Sequence, residues 1–312
     1  MKPAFLFLVV VVGCGRPGPS PASDEMTRVP GARVRMGRKM APPVAGYTPP
    51  PPPVDPKVSN PASPPPPGAR GDFHPAPELL EPRDVRVSAF WIDTTEVTQG
   101  QYARFLEETG YRPPFVDEAW AMKDWNWSSA QPRRGRVRHP VVLVNWYDAF
   151  EYCAWAGKRL PTEAEWQLAA LGPAEDERLF PWGDTYDGAF LNHGTMEPPN
   201  YDRSDGYRET SPVGAFPAGR SRYGLLDVFG NAWEWTADFR VASWEDILGE
   251  RRSTHDGEMV LEPRTSSLGL YAAVRGGSYF FDFRPNPTGE RNAFPAELRR
   301  KSSGFRCARS EE

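Results

Sequence analysis

Prolines are clustered in this chain, and the clusters limit where regular structure can form. The chain has 36 prolines, and residues 41–68 hold the runs Pro49 to Pro53 and Pro64 to Pro67. Proline lacks a backbone N–H and fixes φ, so such a tract cannot be helix or central strand. It is expected as extended polyproline with solvated backbone, and by composition alone it reads as an interdomain linker. Another 28 residues are glycine. Together these favour a loop-rich fold with short elements over long regular ones.

The first residues read as a targeting segment. Lys2 precedes an apolar run from Ala4 to Val12, which ends in Val11-Val12-Gly13-Cys14. The run is roughly half of what a bilayer span needs. Small residues before a cysteine resemble a bacterial lipoprotein cleavage box, with residues 1–13 as signal peptide and Cys14 as the acylated thiol. The alternative is an ordinary secretory signal with an incidental cysteine. Either places the mature chain outside the cytoplasm, where disulfides persist. Residues 14–25 are small and polar and suit a tether. The formal charge of −4 supplies no basic footprint for nucleic acid.

Residues 26–38 alternate weakly and could form an edge strand, and residues 85–92 read as a strand. Thr98 and Gln101 make a capping box; Tyr102, Phe105 and Leu106 form an apolar face, and Gly110 closes the helix. Residues 140–144 read as a second strand, leading to Asn145 as N-cap. The helix that follows carries Phe150, Cys153 and Trp155 and ends at Gly157. Thr162 and Glu165 form another capping box, with Trp166 and Leu168 facing inward. After Gly172 periodicity fades, and the polar residues 245–267 read as a surface loop. No internal repeat is visible.

Several blocks, in order, resemble the formylglycine-generating enzyme or sulfatase-modifying-factor family. They include Phe90-Trp91-Ile92-Asp93 with Glu96-Val97-Thr98; Val144-Asn145-Trp146; Trp155-Ala156-Gly157-Lys158-Arg159-Leu160-Pro161-Thr162-Glu163-Ala164-Glu165-Trp166; and Phe180-Pro181-Trp182-Gly183-Asp184. Tyr223-Gly224-Leu225-Leu226-Asp227-Val228-Phe229-Gly230-Asn231-Ala232-Trp233-Glu234-Trp235, Arg275-Gly276-Gly277-Ser278 and Gly304-Phe305-Arg306-Cys307 complete the set. The resemblance implies one α+β domain over residues 26–312, C-type-lectin-like and low in regular secondary structure. The proline-rich stretch, at about 41–70, then becomes a loop inserted after the first strand.

The resemblance also implies a Cys153–Cys307 disulfide. The alternative is two free buried thiols. Catalytic relatives hold Cu(I) between two other thiolates just after Arg-Gly-Gly-Ser. Here those positions are Phe281 and, without a gap, Asn286. Neither can ligate copper, so oxidation of a substrate cysteine by that route is not expected. Calcium is the expected cofactor, as a structural ion. One implied site uses the side chains of Asp227 and Glu234 with the carbonyls of Gly230 and Ala232. A second uses the side chains of Asn192 and Asp205 with the carbonyls of His193 and Tyr207. The alternative is that these acids cap turns. An iron centre is not expected, because His74, His139, His193 and His255 show no ligand spacing.

Trp233 and Ser278, joined by Phe281, match the family's peptide-binding cleft. Their aromatic neighbours either line a cleft for an extended peptide, glycan or envelope protein, or fill the space copper would use. The expected function is a lipid-anchored, non-catalytic binding or structural module in the bacterial cell envelope, on the periplasmic or extracellular side. The alternatives are an oxidase or other metal-dependent enzyme using the same cleft, and an accessory subunit of an active relative.

Overall fold

The computed structural model describes residues 25–36, 83–117, 121, 124–194, 204–241, 251–255, 258–262, 270–283 and 291–311. The proline-rich stretch and Cys14 lie outside them. Of the side chains at positions 240–241, 251–255, 258–262 and 270, only the backbone is described.

The N-terminal residues form two strands, β1 (Met26–Val29) and β2 (Ala32–Met36). They are separated at Pro30-Gly31, where proline supplies no ladder donor. The expected strand over 85–92 also divides, into β3 (Arg83–Val87) and β4 (Phe90–Asp93). β2 pairs with β3 as one hairpin, whereas β4 joins β1 and β11 (Ala308–Ser310) in a three-stranded sheet with β4 central. The break moves one end of an apparently continuous run into a second sheet.

Three α-helices among the described residues follow their caps. α1 (Gln99–Thr109) has the Thr98–Gln101 capping box and ends on Gly110 at φ 69°. α2 (Trp146–Trp155) has a box between Asn145 and Asp148, and α3 (Glu163–Leu171) has one between Thr162 and Glu165. Each box satisfies backbone donors that the first helical turn leaves open. Tyr102, Phe105 and Leu106 of α1 are buried as the pattern requires, as are Trp166 and Leu168 of α3.

Two expectations fail. Residues 140–144 form no strand beyond a single bridge from Pro140 to Thr98. Their amides bond irregular partners: Val141 N–H donates to the Val97 carbonyl and Leu143 N–H to that of Arg300. The apolar run is buried with Leu143 at φ 61°, so hydrophobicity there reports burial, not extension. Residues 245–267 are not simply a loop. They contain the antiparallel pair β6 (Arg251–His255) and β7 (Glu258–Glu262).

A four-stranded sheet completes the fold in the order β10-β5-β8-β9. It comprises β10 (Ser303–Gly304), β5 (Trp233–Val241), β8 (Leu270–Arg275) and β9 (Arg291–Pro295). β10 runs parallel to β5, and the other pairs are antiparallel. The core between helices and sheets is aromatic, with Trp166, Trp233, Trp235, Phe90, Phe180 and Phe305 all buried. No helix among the described residues is long and apolar enough to cross a membrane.

Candidate functional site

Cys153 on α2 and Cys307 before β11 are joined by a disulfide, with Cα atoms 5.7 Å apart. The free-thiol alternative is thereby excluded. The bond closes a separation of 154 residues, worth about 5 kcal/mol in the chain-entropy account. Asp93 anchors the same corner: one carboxylate oxygen takes the Lys158 ammonium at 2.7 Å, the other the Cys307 N–H at 2.9 Å.

The residues expected to line a cleft are brought together, but as interior. Trp233 is 1% exposed, Ser278 0% and Phe281 3%. The Phe281 ring lies edge-on to Trp233 at 6.0 Å and to Phe283 at 5.0 Å, and Phe283 stacks on Phe229 at 5.4 Å. Ser278 takes the Phe281 N–H on its carbonyl, and its hydroxyl has no hydrogen-bond partner. Asn286 lies outside the described residues. An open surface cleft of about 670 Å³ is instead lined by residues including Asp176, Arg178, Trp182, Asp184 and Arg222. None of the Ser278 group lines it.

The Asp227–Glu234 loop is built on positive-φ backbone at Asp227, Gly230 and Asn231. Gly230 is required: a Cβ there would lie 2.0 Å from the Asn192 carbonyl oxygen. Asn231 ties the two expected cation loops together. Its N–H donates to the Asn192 carbonyl, and its side-chain oxygen accepts from Ser211 N–H and Asn192 Nδ2.

Glu234 is fully buried and paired with Arg306. Its Oε2 accepts from Arg306 Nε and Trp166 Nε1, and its Oε1 from Arg306 Nη2, each at 2.7 Å. Asp227 Oδ2 accepts the Gly214 N–H at 2.6 Å. Burial pushes the Asp227 carboxyl up to about 6, against the pull of the Gly214 amide and Arg306. Glu96 is 1% exposed, and neither carboxylate oxygen has a hydrogen-bond partner. Burial, then the charges of Asp227 and Glu234, hold it well above the usual carboxylate range, with Arg306 opposing. In the sequence Glu96 and Arg306 stand only within the family blocks, and nothing local marks either as buried.

In the second loop Asn192 is 2% exposed, and its Oδ1 has no partner. Asp205 accepts the His193 N–H at 2.9 Å and the Tyr207 N–H at 2.8 Å, so it orders this loop as a turn-capping acid would. The donors in both loops are hard oxygens, and orphaned buried oxygens stand beside each, which fits calcium. No three His, Cys, Asp or Glu side chains among the described residues form a preformed metal cage.

His139 is a buried structural residue. Arg136 Nη1 lies 3.2 Å from its Nδ1. A guanidinium only donates, so that nitrogen accepts and the ring is neutral. Burial and then Arg136 push its pKa down to about 4.

A family model described as the sulfatase-modifying factor enzyme 1-like domain matches residues 18–311. The chain belongs to this family. The formylglycine-generating enzyme of Bos taurus is 31% identical over 265 residues, spanning 72% of this chain and 67% of that protein. The inactive C-alpha-formylglycine-generating enzyme 2 of the same organism is 35% identical over 197 residues, spanning 53% and 65%. PvdO from Pseudomonas aeruginosa superposes with a TM-score of 0.57 over 92% of this chain and 94% of its own, at 23% identity. The sulfatase-modifying-factor domain here thus has the α+β, C-type-lectin-like fold of its family.

Proposed function

We propose that this chain is an exported, non-catalytic member of the sulfatase-modifying factor family, acting as a binding or structural module. The observation that carries the reading is Phe281. It stands at the first copper-ligand position and is packed among Trp233, Phe283 and their neighbours. The two described cysteines are consumed by a disulfide, so neither supplies a thiolate. Likeness to an inactive relative supports the reading. Export is supported by the disulfide and by the apolar run ending at Cys14, which would carry the lipid in the bacterial envelope.

Calcium would act as a structural ion, held by the Asp227–Glu234 and Asn192–Tyr207 loops. Ligand binding, to a peptide, glycan or envelope protein, would use an open surface, because the Ser278 pocket is filled by the chain's own rings. The cleft around Trp182 offers an aromatic ring with charges of both signs.

The deciding experiment supplies purified, copper-loaded protein and dioxygen to a cysteine-containing peptide. No aldehyde product is expected. Copper-dependent conversion of the cysteine would refute the proposal. Metal analysis of the purified protein should find calcium; stoichiometric iron or copper would favour an oxidase.

A further inference from the structure

The calcium reading names two carboxylates near Arg306, but a third shares their surroundings. Arg306 donates to the carbonyls of Asp93, Thr94 and Leu226 and to Glu234. It therefore stitches the segment carrying Glu96 to the loop carrying Asp227. A guanidinium has five N–H donors, and these bonds use all of them. None remains for Glu96. Its two oxygens are buried, and no other residue donates a hydrogen bond to them.

The charge count is equally lopsided. Glu96, Asp227 and Glu234 are all nine-tenths or more buried, and Arg306 is the cation that acts on all three. An unpaired buried carboxylate costs several kcal/mol and needs both a donor and a countercharge. A hydrated divalent cation supplies both. Calcium keeps waters among its six to eight ligands, and those waters are strong donors. The three side chains do not form a direct metal cage, which points to contact across water for Glu96.

We infer that Glu96 is an outer carboxylate of the Asp227 calcium site, taking hydrogen bonds from water on the ion and balancing its charge. The inference rests on the calcium reading above and adds a residue to it. Outer partners of this kind change metal affinity about 10- to 100-fold. They orient the ligands and set the charge the ion meets.

Calcium titration of wild type, Glu96→Gln and Glu96→Asp tests it, with circular dichroism confirming each fold. Glu96→Gln is expected to weaken calcium at least about 10-fold at one site, and Glu96→Asp to retain most of the affinity. Equal affinity in wild type and Glu96→Gln overturns the role of Glu96 alone. No calcium uptake by wild type overturns the calcium reading as well. Should both variants unfold, terbium in wild type decides. At one ion per chain the more acidic Asp227 loop fills first, and emission lifetimes in H2O and D2O count the waters on the ion. At least one water is expected, and none overturns the inference.

Discussion

Two buried charge clusters in this fold are built in opposite ways. Around Glu163 two guanidinium groups serve one carboxylate: Arg275 reaches Glu163 and Gln167, and Arg291 pairs with Glu163 through two nitrogens. Around Arg306 one guanidinium faces Glu234, Asp227 and Glu96. The first joins α3 to β8 and β9, and the Asp238 carboxylate joins it by accepting the Glu163 N–H at 2.6 Å. The second lies where the connection into α1 meets the Asp227 loop, and it is short of positive charge. A carboxylate met by two guanidinium groups holds a fold by itself, whereas three carboxylates around one guanidinium hold it best with an ion added.

The sharpest way to break that contrast is Arg306→Met. It leaves three buried carboxylates without their guanidinium and should cost about 3–5 kcal/mol. Chemical denaturation measures this, and a loss under about 1 kcal/mol would mean the cluster is solvated or already neutral. Next in size is calcium itself. At about 100 times its Kd the ion should stabilise wild type by about 2.7 kcal/mol, seen as a rise in Tm that a chelator reverses. Unchanged melting with and without chelator would remove the asymmetry between the clusters.

Glu163→Gln probes the other side. It should cost about 2 kcal/mol, because hydrogen-bond acceptance survives in part while the charge is lost. Its calcium response should match that of wild type, and a lost response would show that the clusters communicate. The smallest effect concerns acid. His139 has a folded pKa of about 4, below its ordinary value of 6.5. The unfolded chain therefore binds the proton first. Stability is complete above about pH 6.5 and falls as pH drops toward 4, by on the order of 2 kcal/mol for a buried ring. His139→Asn should flatten that limb without altering the calcium response. An unchanged limb would assign it to other groups.

What was legible in the sequence was whatever is decided locally. The capping boxes at Thr98 and Thr162 and the N-cap at Asn145 depend on residues within one turn, so they mark their helices locally. Failures came where distant partners decide. Residues 140–144 are apolar enough for a strand, yet their amides bond to Val97 and Arg300 in irregular backbone. β6 is polar, and the apolar Met259-Val260-Leu261 of β7 is a short run without alternation, so neither betrays the pairing. The disulfide partners came through family resemblance. Glu96 stands in the family blocks as one letter among many, and its burial beside Arg306, far from it along the chain, is visible only in the fold. Trp233, Ser278 and Phe281 lie together, as the resemblance implies, but as interior rather than as a cleft, which only packing shows.

β4 receives β1 on one side and β11 on the other. The earliest and the latest described strands therefore flank the same neighbour. A ribosome must release residue 310 before that sheet can close, so β4 waits for its second neighbour until more than two hundred further residues have been made. Under the proposed export, that late closure would keep the strands apart while the chain is threaded across the membrane.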